Sequence, residues 1–173
     1  MNSTFVVGID VGGQTSKLGV VDARGAVLAQ TVIRTDTYTD IEPYIAELAE
    51  AVKKIIREAG VEGKVRGIGV GAPNANYYDG TIANAVNLSW GGPKSIPFAQ
   101  LLSEAMDGLP VSLTNDANAA AVGEMTYGAA RGMKNCQAHL PSGYICEHCR
   151  CDEWRRRRHP AGRCSRGQNT APR

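Results

Sequence analysis

Residues 5–34 read FVVGIDVGGQTSKLGVVDARGAVLAQTVIR, three apolar runs separated by two glycine-bearing connections. FVVGIDV (5–11), KLGVVD (17–22) and AVLAQTVIR (26–34) are each of strand length and rich in β-branched residues. The connections hold Gly12-Gly13 and Asp22-Ala23-Arg24-Gly25. Short connections of this kind reverse the chain at once, so the stretch predicts an antiparallel meander. The period then changes. DIEPYIAELAEAVKKIIREAG (40–60) carries apolar residues at 41, 45, 48, 52, 55 and 56, the three-and-four spacing of a helix, with Gly60 as its stop. VRGIGVGAP (65–73) reads as a strand, SIPFAQLLSEAMDG (95–108) as a helix and VSLTND (111–116) as a strand, and residues 117–130 open a last helix. The order β-β-β-α-β-α-β-α predicts an α/β layer fold with a mixed sheet, hairpin strands at one end and crossover strands at the other.

The chain has 173 residues, enough for one domain with or without a tail. Its net charge of +2 averages two unlike parts. Residues 1–135 hold 11 Lys and Arg against 14 Asp and Glu, a net of −3, whereas residues 136–173 hold 8 against 3, a net of +5. All five cysteines and all three histidines fall in the second part. A cysteine-free, mildly acidic body fits a cytoplasmic protein. The opening MNSTFVVGIDVGG lacks a basic n-region and a long apolar run, so no signal peptide is expected. No apolar run approaches the roughly 18 residues that would span a bilayer.

Three stretches of the body carry polar chemistry. In GIDVGGQTSK (8–17) the glycines allow a tight turn and close approach of backbone amides to an anion, while a plain type I′ or II′ hairpin would need no more than the same glycines. GVGAPNANYYDGTIANAVNLSWGG (69–92) reads mainly as a long connection, its Asn74, Asn76 and Asp79-Gly80 serving turns and Trp90 serving as a core or surface aromatic. LTNDANAAAVGE (113–124) sets an acid between amides at the end of a strand and the start of a helix. Such a cluster caps the helix or binds a ligand. Glu124 and Arg131 read as surface or cap residues on that helix. No GxxxxGK[ST] motif occurs, which excludes a P-loop kinase.

Four blocks in order, IDVGGQTSKLGVVD (9–22), GIGVGAP (67–73), ANAVNLSWGG (83–92) and LTNDANAAAVGEMTYGAARGMKN (113–135), resemble the first lobe of sugar kinases of the actin and hexokinase superfamily, a ribonuclease H-like ATPase lobe. More narrowly they resemble the ROK family (repressor, open reading frame, kinase), in particular its bacterial glucokinases, over about residues 5–135. The resemblance implies ATP-dependent phosphorylation of glucose or a related hexose. It implies that Asp10 holds the Mg2+ of ATP through water, and that Gly12, Gly13, Gln14, Thr15 and Lys17 lie near the phosphates. It also implies that Gly71 and Asn74 lie against the sugar, that Asn87, Leu88 and Trp90 shape the sugar-side wall, that Asn115 binds sugar hydroxyls and that Asp116 is the catalytic base. Gln14 stands where the family usually has threonine, and Asn74 where it often has glycine. Full-length relatives are expected to be homodimers. A repressor of the same family would place a winged helix-turn-helix ahead of Phe5, where little sequence stands, and a non-catalytic sugar-binding fragment is a further alternative.

The resemblance stops near Asn135. The family's second phosphate loop, its Glu-x-Gly-His stretch, its zinc motif and its adenosine site have no counterpart in CQAHLPSGYICEHCRCDEWRRRRHPAGRCSRGQNTAPR (136–173). This segment shows neither period, has few large apolar residues and carries four consecutive arginines at 155–158, so it is expected to be low in order and to build no core. Its readings are an out-of-frame or non-native join, a zinc module drawing on Cys146, His148, Cys149, Cys151, His159 and Cys164, and a nucleic-acid-binding arm. The cysteine spacing matches no ordinary zinc finger and a charge run is more often a solvated tail, so the join is preferred. On that reading the chain is a truncated kinase with poor turnover.

Overall fold

A computed structural model describes residues 4–128 and Arg131. The resemblance's phosphate-to-sugar body therefore lies almost wholly within it, and every expectation for residues 136–173, zinc included, lies outside the described residues. Seven strands and three helices follow in the order β1 (Phe5–Val11), β2 (Thr15–Asp22), β3 (Val27–Arg34), α1 (Ile41–Glu58), β4 (Val65–Ala72), β5 (Ala75–Asn76), β6 (Thr81–Ile82), α2 (Phe98–Ala105), β7 (Val111–Asn115) and α3 (Asp116–Thr126). The expected element order holds, with one addition. The two-residue strands β5 and β6 pair as a small hairpin inside what the sequence reads as a plain connection.

The main sheet has the order β3-β2-β1-β4-β7. β1 pairs antiparallel with β2 and β2 with β3, forming the meander. β4 lies parallel to β1 on one side and to β7 on the other, reached through helical crossovers. The sheet is thus mixed, and the carboxyl ends of β1, β4 and β7 stand side by side.

Alternation of side chains fixes which face is buried. Val7, Ile9 and Val11 of β1, Leu18 and Val20 of β2, Ile68, Val70 and Ala72 of β4 and Leu113 of β7 are buried in one core with Tyr44, Leu48, Val52 and Ile55 of α1 and Phe98 and Leu102 of α2. Helix α1 ends as its sequence predicts. Gly60 takes φ +66, its N–H donates to the Arg57 carbonyl, and the Val61 N–H donates to the Ile56 carbonyl. This pairing satisfies carbonyls that the last turn leaves open, and the left-handed conformation at its centre suits glycine. Helix α3 packs on the opposite face, where Gly71 of β4 is small enough to let Ala119 approach. No described helix is long and apolar enough to cross a membrane.

Candidate functional site

Register places the polar residues of three strands in one row. Asp10 pairs with Lys17 of β2 and with Gly71 of β4, and Gly71 pairs in turn with Thr114 of β7. Residues paired directly across a sheet share a face. Lys17, Asp10, Gly71 and Thr114 therefore line the face opposite the core, near the carboxyl ends of the parallel strands, which is where open α/β sheets bind ligands. Asp10 and Lys17 are both exposed.

The connection between β1 and β2 closes through the Gly12 N–H, which donates to the Thr15 carbonyl at 3.1 Å. Neither Gly12, Gly13 nor Gln14 has a positive φ, so the reading of this connection as a type I′ or II′ hairpin is corrected. The glycines serve close approach instead. A Cβ on Gly12 would lie 2.7 Å from the Thr15 carbonyl oxygen, and one on Gly13 would lie 2.7 Å from that of Asn87. The turn is held from behind as well: the Gln14 carbonyl accepts from the Thr35 N–H at 2.9 Å. Gln14 is exposed and Thr15 half-buried.

On the far side of β4, Asn115 ends β7 and caps α3, its Oδ1 accepting from the Ala117 N–H at 3.0 Å. Asp116 is the first residue of α3, and its Oδ1 accepts from the same N–H at 2.7 Å. Both are half-buried. The bond orients the Asp116 carboxylate through one of its two oxygens. Gly71 makes this placement possible, because a Cβ there would lie 3.4 Å from the Asp116 Cα and 3.3 Å from the Ala119 Cβ.

Asn74 follows β4 in the left-handed region, φ 53, and its Nδ2 donates to the Asn84 carbonyl at 2.7 Å. Its amide thus ties the β5–β6 hairpin to the following loop. Trp90 is buried, stacked on Tyr44 with ring centroids 5.0 Å apart and on Phe98 at 5.9 Å. It is a core aromatic, as its sequence context favours, and its indole N–H has no hydrogen-bond partner among the described residues. Arg131 lies beyond the end of α3.

Two features of the site escape sequence reading. One is the contact of the Asn87 carbonyl with Gly13, which joins segments far apart in the chain. The other is a buried set of three hydroxyls: Ser16 Oγ lies 2.8 Å from Thr35 Oγ1 and 2.7 Å from Tyr44 Oη. Burial drives the Tyr44 phenol up to about 12, against the smaller lowering effect of its bonds to Ser16 and Thr35.

Among the described residues no group of three His, Cys, Asp or Glu side chains could hold a metal ion. Asp10 offers one exposed carboxylate in the row. That set fits a magnesium ion arriving with phosphate oxygens and water, the usual mode for that ion, and not a cage built by protein alone.

The ROK family model matches residues 6–139. A glucokinase of Halalkalibacterium halodurans is 35% identical over 137 residues, covering 78% of this chain and 40% of that protein. A xylose repressor of Caldicellulosiruptor bescii is 28% identical over 125 residues, covering 71% of this chain and 30% of the repressor. The crystal structure of a ROK family glucokinase from Streptomyces griseus, in complex with glucose and AMPPNP, superposes with a TM-score of 0.59 at 30% identity, covering 74% of this chain and 38% of that one. The chain spans about 40% of the length of the glucokinase relative it matches.

Proposed function

The chain belongs to the ROK family, and from that premise we propose that it forms the sugar- and phosphate-facing first lobe of a cytoplasmic kinase that transfers the γ-phosphoryl group of ATP to glucose or a related hexose. The observation that carries the reading is the position of Asp116. It stands at the carboxyl end of a parallel strand, oriented by a backbone N–H, with Gly71 on the neighbouring strand and Asp10 on the strand beyond it.

Phosphorylating a hydroxyl requires a carboxylate within hydrogen-bond reach to take the proton as the oxygen attacks. Asp116 fills that role in this reading, accepting the proton on the oxygen that the Ala117 N–H does not occupy. Asn115 orients the sugar: its Oδ1 caps α3 while its Nδ2 donates to a hydroxyl. The Gly12 N–H closes the turn on the Thr15 carbonyl, and the N–H groups of Gly13 and Gln14 are offered to phosphate oxygens, with the Thr15 hydroxyl and the Lys17 ammonium alongside. Asp10 would hold the magnesium of ATP through water, and that ion supplies charge neutralisation on the phosphates. Gly71 lets α3 seat closely on β4 and so brings Asp116 up to the row. Asn74 bonds Asn84 through its Nδ2 and so shapes the loop that lies against the sugar.

Exclusion of water from the transferring group needs surfaces on both sides of the phosphates. The described residues supply one side, so the chain by itself is expected to bind sugar and nucleotide weakly and turn over slowly. The test is hexose phosphate formation from glucose and ATP, measured for the chain and for a two-lobed ROK glucokinase carrying residues 5–135 in place of its own first lobe. Turnover by the graft that falls on changing Asp116 supports the reading. A sugar-sensing role without catalysis draws on the similarity to the xylose repressor. Glucose binding by calorimetry with no turnover in either protein would favour it.

A further inference from the structure

Tyr44 of α1 touches the supports of both loops that edge the site. Its hydroxyl lies 2.7 Å from Ser16 Oγ, which lies 2.8 Å from Thr35 Oγ1. The Thr35 N–H in turn donates to the Gln14 carbonyl in the turn after β1. Its ring stacks on Trp90 at 5.0 Å with an interplanar angle of 27°, and Trp90 closes the loop whose Asn87 carbonyl backs onto Gly13. Ser16, Thr35 and Tyr44 each have 0% exposure. Three buried hydroxyls impose mutual hydrogen-bond demands that alanine, valine and phenylalanine of similar shape would not, and replacing both partners of such a bond by apolar groups is often nearly neutral for stability. What the hydroxyls add is a defined geometry between the segments that carry them.

We propose that Tyr44 is a positioning residue that holds the turn at residues 12–14 and the loop at residues 87–91 in one relative arrangement, the first through the Ser16–Thr35 hydroxyls and the second through its stack on Trp90. Its value for catalysis rests on the kinase reading, in which the turn faces phosphate and the loop faces sugar. The coupling of turn and loop does not depend on that reading.

Four amides report it: Gly12 (to Thr15) and Thr35 (to Gln14) for the turn, Leu88 (to Ala85) and Gly91 (to Leu88) for the loop. Their exchange with solvent is followed by NMR in the whole chain, with α1 amides at Val52 and Ile55 as the reference for global opening. Tyr44→Phe, which keeps the ring, should speed exchange at Gly12 and Thr35 by about tenfold or more while Leu88, Gly91 and the α1 amides stay near wild type. Tyr44→Leu, which also removes the stack, should speed all four relative to α1. Thr35→Val should reproduce the Tyr44→Phe pattern and Thr35→Ser should restore wild-type exchange, and this pair carries the test if Tyr44→Leu does not fold. Unchanged Gly12 and Thr35 amides in Tyr44→Phe and Thr35→Val, or an equal acceleration at every amide including α1, would overturn the proposal. Titration with MgATP and with glucose on the same samples tests the kinase reading separately, since the exchange pattern is read without ligand.

Discussion

The carbonyl oxygen of Asn87 occupies the space that a Cβ on Gly13 would need, at 2.7 Å. Two segments more than seventy positions apart are therefore in backbone contact beside the site, and the missing side chain is what permits it. A Gly13→Ala change must push one of them away. Expected is a loss of about 1–3 kcal/mol in urea denaturation, as for other overpacked positions. Gly69 is the control: a Cβ there meets nothing within 4 Å, and Gly69→Ala should be neutral or mildly stabilising.

Asn115 combines a helix cap with a position at the site edge, and two substitutions separate the roles. Asn115→Ala removes one of the two oxygens that accept from the Ala117 N–H, Asp116 Oδ1 being the other, and should cost about 0.5–1 kcal/mol, the lower part of the capping range. Asn115→Ser restores a capping oxygen and with it most of the stability, but lacks the amide donor. Glucose affinity by calorimetry should fall in both, and a serine variant that binds glucose as wild type does would limit Asn115 to capping.

Tyr44 makes stability sensitive to alkali. Its phenol is raised from 10.0 to about 12 in the fold, chiefly by burial, so the folded state holds this proton more tightly than the unfolded chain does. The corresponding stability is complete below pH 10.0 and is lost as pH rises from there toward about 12. The loss should reach roughly 2–3 kcal/mol, since each tenfold tightening of proton binding is worth about 1.4 kcal/mol. Stability of Tyr44→Phe measured against pH should decline less over that window, and the difference between the two curves isolates Tyr44 from other titrating groups.

Asp22 works in the other direction. The N–H groups of Ala26 and Arg24 donate to its carboxylate in the turn between β2 and β3 and hold its pKa below the usual 3.8. A lowered folded value means that this stabilisation is present above the unfolded pKa and disappears as pH falls through the folded one. Asp22→Asn should be less stable than wild type at neutral pH, and the gap in denaturation midpoint should close in acid, below 3.8.

The features legible in the sequence are those with a local cause. The meander, the stripe of α1 and its Gly60 stop follow from period and turn chemistry, and the Asn-Asp pair at the head of α3 follows from capping preference. The hydroxyl set is not legible there. Ser16 sits just ahead of the run that reads as the second strand, yet β2 begins at Thr15 and pairs Ser16 with Val11 and Ile33, turning it into the core. Tyr44 stands at helical spacing from Ile41 and Leu48, so its place on the buried face of α1 is readable, but the pairing of its hydroxyl with Ser16 is not. Likewise Gly12 and Gly13 read as turn formers, whereas the structure uses them for lack of a side chain. In each case the deciding partner comes from a distant segment, and local pattern holds no record of it.

In the proposed reaction Asp116 takes the proton from the sugar. That role is tested most directly by Asp116→Asn in a two-lobed ROK glucokinase grafted with residues 5–135. The asparagine keeps the side-chain oxygen that accepts from Ala117, so the fold and cap should survive, and the melting curve checks that they do. Expected is a fall of about 10²–10⁴ in kcat, with glucose KM changed far less. A kcat close to that of the unmodified graft would contradict it and leave Asp116 as a helix-capping residue.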